Sequence, residues 1–213
     1  MAATLRSQVM SAGAPIVAVR RARPLAGQSA SRGAIGCGSV RRGGRGAVAA
    51  GAASERVGLP VEELTPESFA PFGQVCAAQD DGKVFDGADA QLVLSKGTPR
   101  FYIMRLPTIG TTFNRITYHQ DVTQCLGCLT PHPWYIAVAA PTSSLEAYPQ
   151  QGDLHLFRVP HGTFIKMHEA TWHAGPLFEG AEYLDFYNLE LADTNVVDHN
   201  THEYEGTEFY VQL

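Results

Sequence analysis

What most constrains this chain is a series of short, β-prone segments in its second half, with no helical repeat among them. Residues 100–106, 113–119, 134–140, 154–159, 163–168 and 183–191 are rich in Val, Ile, Tyr and Phe, and Pro, Gly or Asp bounds each one. No window there keeps an apolar face at the 3.6-residue period of a helix. Short strands separated by turn signals predict an all-β antiparallel sandwich or barrel. In 183–191, Tyr183, Asp185, Tyr187, Leu189 and Leu191 share one face, and Leu184, Phe186, Asn188 and Glu190 share the other. Both faces mix polar and apolar groups, as expected of a strand with one side on a polar cavity.

Before this region, Thr65-Pro66-Glu67 reads as a helix start: an N-cap, a proline at the first helical position and an acid at the positive end of the dipole. Pro71 and Gly73 stop that helix within two turns. Residues 78–91 read as a loop.

Composition divides the chain near residue 53. Residues 1–53 carry eight arginines and no Lys, Asp, Glu or aromatic residue. An acid-free, Arg- and Ser-containing start has the composition of an organelle transit peptide, expected to be disordered. Its Ala, Gly and Ser content favours chloroplast over mitochondrion. The remaining 160 residues, a single-domain length, hold 8 basic and 21 acidic side chains, a net charge of −13. That balance argues against nucleic acid or an anionic membrane as partner. No apolar run approaches the ~18 residues of a membrane-spanning helix. Cys125 and Cys128 form a lone C-x-x-C followed by Leu-Thr-Pro-His-Pro, which breaks the helix a redox pair needs. They read as small strand residues.

Chemistry concentrates in two places. Lys166-Met-His-Glu-Ala-Thr-Trp-His-Ala-Gly-Pro176 holds His168 and His173 with Lys166, Glu169 and Trp172, while His119 and Gln124 lie about fifty residues upstream. Imidazole is the commonest protein metal ligand and the side chain best suited to proton transfer near neutral pH. Strict strand alternation would aim His119 and Gln124, or His168 and His173, to opposite sides, so a bend or bulge must bring each pair inward. Arg115 and Lys166 lie beside these histidines and could hold a carboxylate. His132, His155, His161, His199 and His202 read as surface residues.

Taken together these residues resemble the ureidoglycolate lyase (ureidoglycolate hydrolase) family of cupin-fold proteins, over about Leu64 to Asp198. The matching elements are Leu-Thr-Pro-Glu-Ser-Phe-Ala-Pro-Phe-Gly, His119-x4-Gln124, His168 followed by Trp172-His173 and Pro176, and Asp185-Phe186. The wording is most like the plant and algal branch. The resemblance implies a cupin double-stranded β-helix, a jelly-roll barrel filling residues 54–213, often homodimeric. It also implies an enzyme that splits ureidoglycolate, a small carboxylate, into glyoxylate and urea in purine (allantoin) catabolism, with a divalent metal, nickel in some members.

On that basis His119, His168 and His173 are expected as a metal or acid–base cluster. Gln124 would orient the urea group and Lys166 or Arg115 would hold the carboxylate. Asp185 would fix a histidine tautomer, and Trp172, Glu169 and Tyr187 would complete the substrate-binding wall. The alternatives are a cupin isomerase or epimerase of a sugar-like acid, and a non-catalytic cupin binding a small anion or a protein.

Overall fold

A computed structural model of the chain describes residues 55–142 and 147–213. The proposed transit peptide lies outside the described residues. Thr65 caps the first helix as its position suggests: its Oγ1 accepts from Ser68 N, and Ser68 Oγ accepts in return from Thr65 N. The elements in chain order are β1 (Glu55–Glu62), α1 (Pro66–Phe69), β2 (Gly73–Cys76), β3 (Pro99–Pro107), β4 (Thr112–Phe113), β5 (Arg115–Tyr118), β6 (Gln124–Cys128) and β7 (Trp134–Ala139). There follow β8 (His155–Val159), β9 (Phe164–Met167), β10 (Trp172–Leu177), β11 (Tyr183–Leu191), α2 (Thr194–Val197), β12 (Asn200–Glu203) and β13 (Thr207–Gln212). The expected loop over 78–91 carries no helix or strand.

Two sheets face each other. One has the order β12-β5-β10-β7-β8-β1-β13-β4, the other β2-β9-β6-β11-β3. Alternation along each strand decides which residues lie between them. Trp134, Ile136, Val138, Phe157 and Val159 from the larger sheet meet Leu126, Cys128, Ile165, Met167, Leu184 and Phe186 from the smaller. The larger sheet also curls. Its β1-β13-β4 end brings Val57, Leu59, Phe209 and Phe113 against Ile116, Tyr118 and Trp172, the reverse face of β5 and β10. The result is a β-rich half-barrel compatible with a barrel or jelly roll. Cys125 and Cys128 are buried free thiols of β6. Among the described residues no helix is long and apolar enough to cross a membrane.

Alternation also sorts the expected site residues into two groups. On β9, Ile165 and Met167 face the core, so Lys166 projects from the outer side of the smaller sheet. On β11, Leu184 and Phe186 face the core, so Asp185 and Tyr187 point out, while Asn188 and Glu190 point in. On β10, Trp172 and Ala174 join the second core with Tyr118. His173 therefore faces the space between the sheets.

Candidate active site

That space opens into a cavity of about 490 Å3 beside β5, β10 and β11. His119, Gln124, His173, Asn188 and His199 are among its polar lining, and Leu126, Met104 and Leu177 among its apolar walls. The turn after β5 carries His119, β6 begins with Gln124, β10 supplies His173, and the residues after α2 supply His199.

The two inner histidines are fixed by backbone carbonyls. His119 Nδ1 lies 2.6 Å from the carbonyl oxygen of Asp198, and His173 Nδ1 lies 3.1 Å from that of Thr171. A carbonyl can only accept, so each Nδ1 carries the hydrogen and each neutral ring keeps its lone pair on Nε2. The ring centroids of His119 and His173 are 5.1 Å apart, and those of His119 and His199 5.8 Å. Burial pushes the His173 pKa down to about 3, and the neighbouring His119 adds to the shift. Burial lowers His119 as well, opposed by its bond to the Asp198 carbonyl. Both rings are therefore neutral bases at neutral pH. Asp198 does more than accept this bond: its carboxylate takes the amides of Gln120 and Asp121 at 2.8 Å each, clamping the turn that carries His119.

A second network surrounds Gln124. Its Nε2 donates to Asn188 Oδ1 at 3.2 Å and to Glu190 Oε2 at 3.0 Å. Glu190, 1 % exposed, also accepts from Tyr102 Oη at 3.0 Å and Asn195 Nδ2 at 3.3 Å. Asn188 Nδ2 donates to Tyr102 Oη at 3.0 Å. Gln124 Oε1 is buried with no hydrogen-bond partner among the described residues.

Four expected site residues line the cavity together: His119, Gln124, His173 and Arg115. Arg115 Nη2 pairs with Glu203 at 3.1 Å, and both side chains are largely exposed, so the pair contributes little and can exchange for a ligand. The other six lie elsewhere. Lys166, 2 % exposed, sits on the outer side of the smaller sheet with Nζ 2.9 Å from His168 Nδ1. His168 Nε2 is 3.3 Å from the Ala70 carbonyl oxygen, so it carries the hydrogen there and Nδ1 accepts from Lys166. Burial lowers the pKa of Lys166. Burial first, and Lys166 second, lower that of His168.

Asp185 does not reach a histidine; its carboxylate forms a two-pronged pair with Arg105, which holds its pKa below the usual range. The bond that fixes a histidine tautomer comes instead from Asp198. Tyr187 stacks on Phe101 at the surface, with centroids 5.9 Å apart. Trp172 packs on Tyr118 at 4.4 Å behind the cavity wall. Glu169 is half-buried in the turn between β9 and β10.

The metal implied by the resemblance finds no matching donors. His168, the third member of the expected triad, is bonded to Lys166 on the other side of the sheet. Among the described residues, no three His, Cys, Asp or Glu side chains are placed to hold a metal ion. The chemistry available is that of two neutral imidazole bases beside a fixed amide, with an arginine at the cavity wall.

Reading the sequence missed Asn188, Glu190, Tyr102, Asn195 and Asp198; His199, read as a surface residue, is exposed as expected and also lines the cavity. Asn188 and Glu190 had a signal, since they share the face of Leu184 and Phe186. His199 had none, because only the long-range pairing of β12 with β5 brings that segment to the cavity. No protein-family model matches the chain, and no curated protein matches it.

Proposed function

We propose that this domain is a cupin-type barrel that cleaves ureidoglycolate to glyoxylate and urea, with the reaction housed between His119, His173 and Gln124. The observation that carries the reading is the pair of neutral imidazoles, each with Nδ1 held by a carbonyl, lining one cavity with Gln124; among the described residues neither Nε2 nor the Gln124 amide oxygen has a hydrogen-bond partner. Cleavage of a carbinolamide needs a base for the hydroxyl proton and an acid for the departing nitrogen. One imidazole Nε2 takes the hydroxyl proton, and the oxygen forms the carbonyl of glyoxylate. The C–N bond breaks with its electron pair on nitrogen, which receives a proton from the imidazolium, and urea leaves. No water is consumed and the enzyme returns to its starting protonation.

Burial lowers the basicity of His173. An anionic substrate beside the ring favours imidazolium and restores basicity when it is needed. Arg115 receives the carboxylate, exchanging its exposed partner Glu203 for the ligand. Gln124 Oε1 accepts from the urea N–H. No metal enters these steps, because the donors for one are not assembled among the described residues.

The test is product analysis with the full-length protein. Ureidoglycolate should yield glyoxylate and urea in equal amounts, faster than spontaneous decay. Products at the spontaneous rate, or ammonia in place of urea, would overturn the reading.

A further inference from the structure

The orientation of the Gln124 amide is not free. A glutamine amide has one acceptor end and one donor end, and it can usually turn to suit a ligand. Here Nε2 faces two oxygens, Asn188 Oδ1 at 3.2 Å and Glu190 Oε2 at 3.0 Å. Turning the amide would set its oxygen against both acceptors and lose two hydrogen bonds inside the protein, at a cost of several-fold to thousands-fold in population.

The two acceptors are themselves held. Asn188 cannot turn without losing its Nδ2 bond to Tyr102 Oη, and Tyr102 Oη donates in turn to Glu190 Oε1. Asn195 Nδ2 adds a further donor to the same carboxylate oxygen. Every member of the chain thus has its donor and acceptor ends assigned by the next, and Glu190 anchors it by accepting from Gln124, Tyr102 and Asn195. The chain ends on one atom, Gln124 Oε1, of a cavity-lining side chain that is 7 % exposed; it has no partner among the described residues, and a ligand reaches it once the cavity wall gives slightly. A buried acceptor left unpaired is costly, and a ligand that brings an N–H removes that cost.

We infer that Glu190 is a positioning residue that fixes the polarity of Gln124, so that the cavity selects ligands presenting an N–H donor, of the primary amide or ureido class, and rejects same-shaped ligands that lack one. The inference rests on reading this cavity as the ligand site, and it does not require that ureidoglycolate be cleaved there. Glu190 does not line the cavity; it acts through the amide.

Three small carboxylates of nearly equal shape test this directly. N-carbamoylglycine carries both N–H groups, N-acetylglycine lacks the terminal NH2, and levulinate has no N–H. Binding of each to the full-length protein is measured by titration calorimetry. N-carbamoylglycine should bind the wild type about tenfold more tightly than levulinate, about 1.4 kcal/mol, which lies within the cost of an unpaired buried acceptor. In Glu190→Gln the new side chain can donate to Gln124, the amide can turn, and the ratio should fall to about twofold or less. A merely structural role for Glu190 would weaken all three ligands together and leave the ratio intact.

If Glu190→Gln fails to fold, as judged by its thermal melt, Gln124→Leu carries the same expectation, because it removes the acceptor itself. Equal binding of the three ligands by the wild type, no binding of any, or a tenfold ratio that survives in the folded variant would overturn the inference. Should the wild type prefer N-carbamoylglycine yet leave ureidoglycolate uncleaved, the lyase reading falls and the selectivity stands.

Discussion

At His119 and His173 the backbone decides what the side chain can do. A carbonyl oxygen at each Nδ1 leaves one tautomer, and burial keeps both rings neutral. This has a consequence for stability. His173 titrates near its ordinary value of about 6.5 in the unfolded chain but at about 3 in the fold. Between those values the unfolded state binds a proton that the native state does not, so acid favours unfolding. Stability should fall as pH drops from about 6.5 toward 3, by up to about 1.4 kcal/mol per pH unit for this residue. His119 pulls in the same direction. Paired carboxylates such as Asp185 contribute in the same sense, but only as pH approaches the ordinary Asp value of about 3.9. Urea titrations between pH 7 and 5 isolate the histidine part. The midpoint should drop steadily for the wild type and less steeply for His173→Gln; identical slopes would remove the assigned shift.

At the scale of elements, β10 shows how a bulge makes a cavity wall. Its pairing with β7 shifts register between Ala174 and Leu177, and Gly175 within the shift has φ 123°. A Cβ on Gly175 would lie 3.0 Å from both Leu177 N and Tyr135 O. Gly175→Ala should therefore cost ~1–3 kcal/mol and disturb the wall formed by residues 174–177. A melting temperature unchanged by that substitution would contradict the strain. The sequence disclosed β3, β5, β7, β8, β9 and β11 because each carries enough Val, Ile, Phe or Tyr to mark itself. It concealed β12, Asn-Thr-His-Glu, which is polar throughout and is a strand only because it pairs with β5. It concealed β1 behind Pro60, and β10 behind Gly175 and Pro176. The site was legible to the same extent. His119, Gln124 and His173 stood out by type and spacing. Lys166, His168 and Asp185 stood out equally, and alternation sends them to the opposite side of the sheet. The core-facing neighbours Ile165, Met167, Leu184 and Phe186 already carried that distinction, which motif matching ignores.

For the molecule as a whole, two polar clusters flank one five-stranded sheet. The inner cluster joins His119, His173 and Gln124 in a cavity, and the outer one joins Lys166 to His168 beneath the segment that ends α1. Among the described residues the inner cluster lines a cavity and keeps free imidazole lone pairs, whereas the His168 lone pair accepts from Lys166. Lys166 is buried, and among the described residues its Nζ makes one hydrogen bond, to His168, and no ion pair, so the outer cluster reads as structural. The most direct measurement compares urea release from ureidoglycolate by the wild type, His173→Ala and His168→Ala, each shown to be folded by its thermal melt. His173→Ala should lose about a hundredfold or more in kcat/KM, in the range of a removed general acid–base group. His168→Ala should stay within about threefold of the wild type. The reverse order, with His168 essential and His173 dispensable, would place the chemistry on the outer face of the sheet and contradict the assignment of the site.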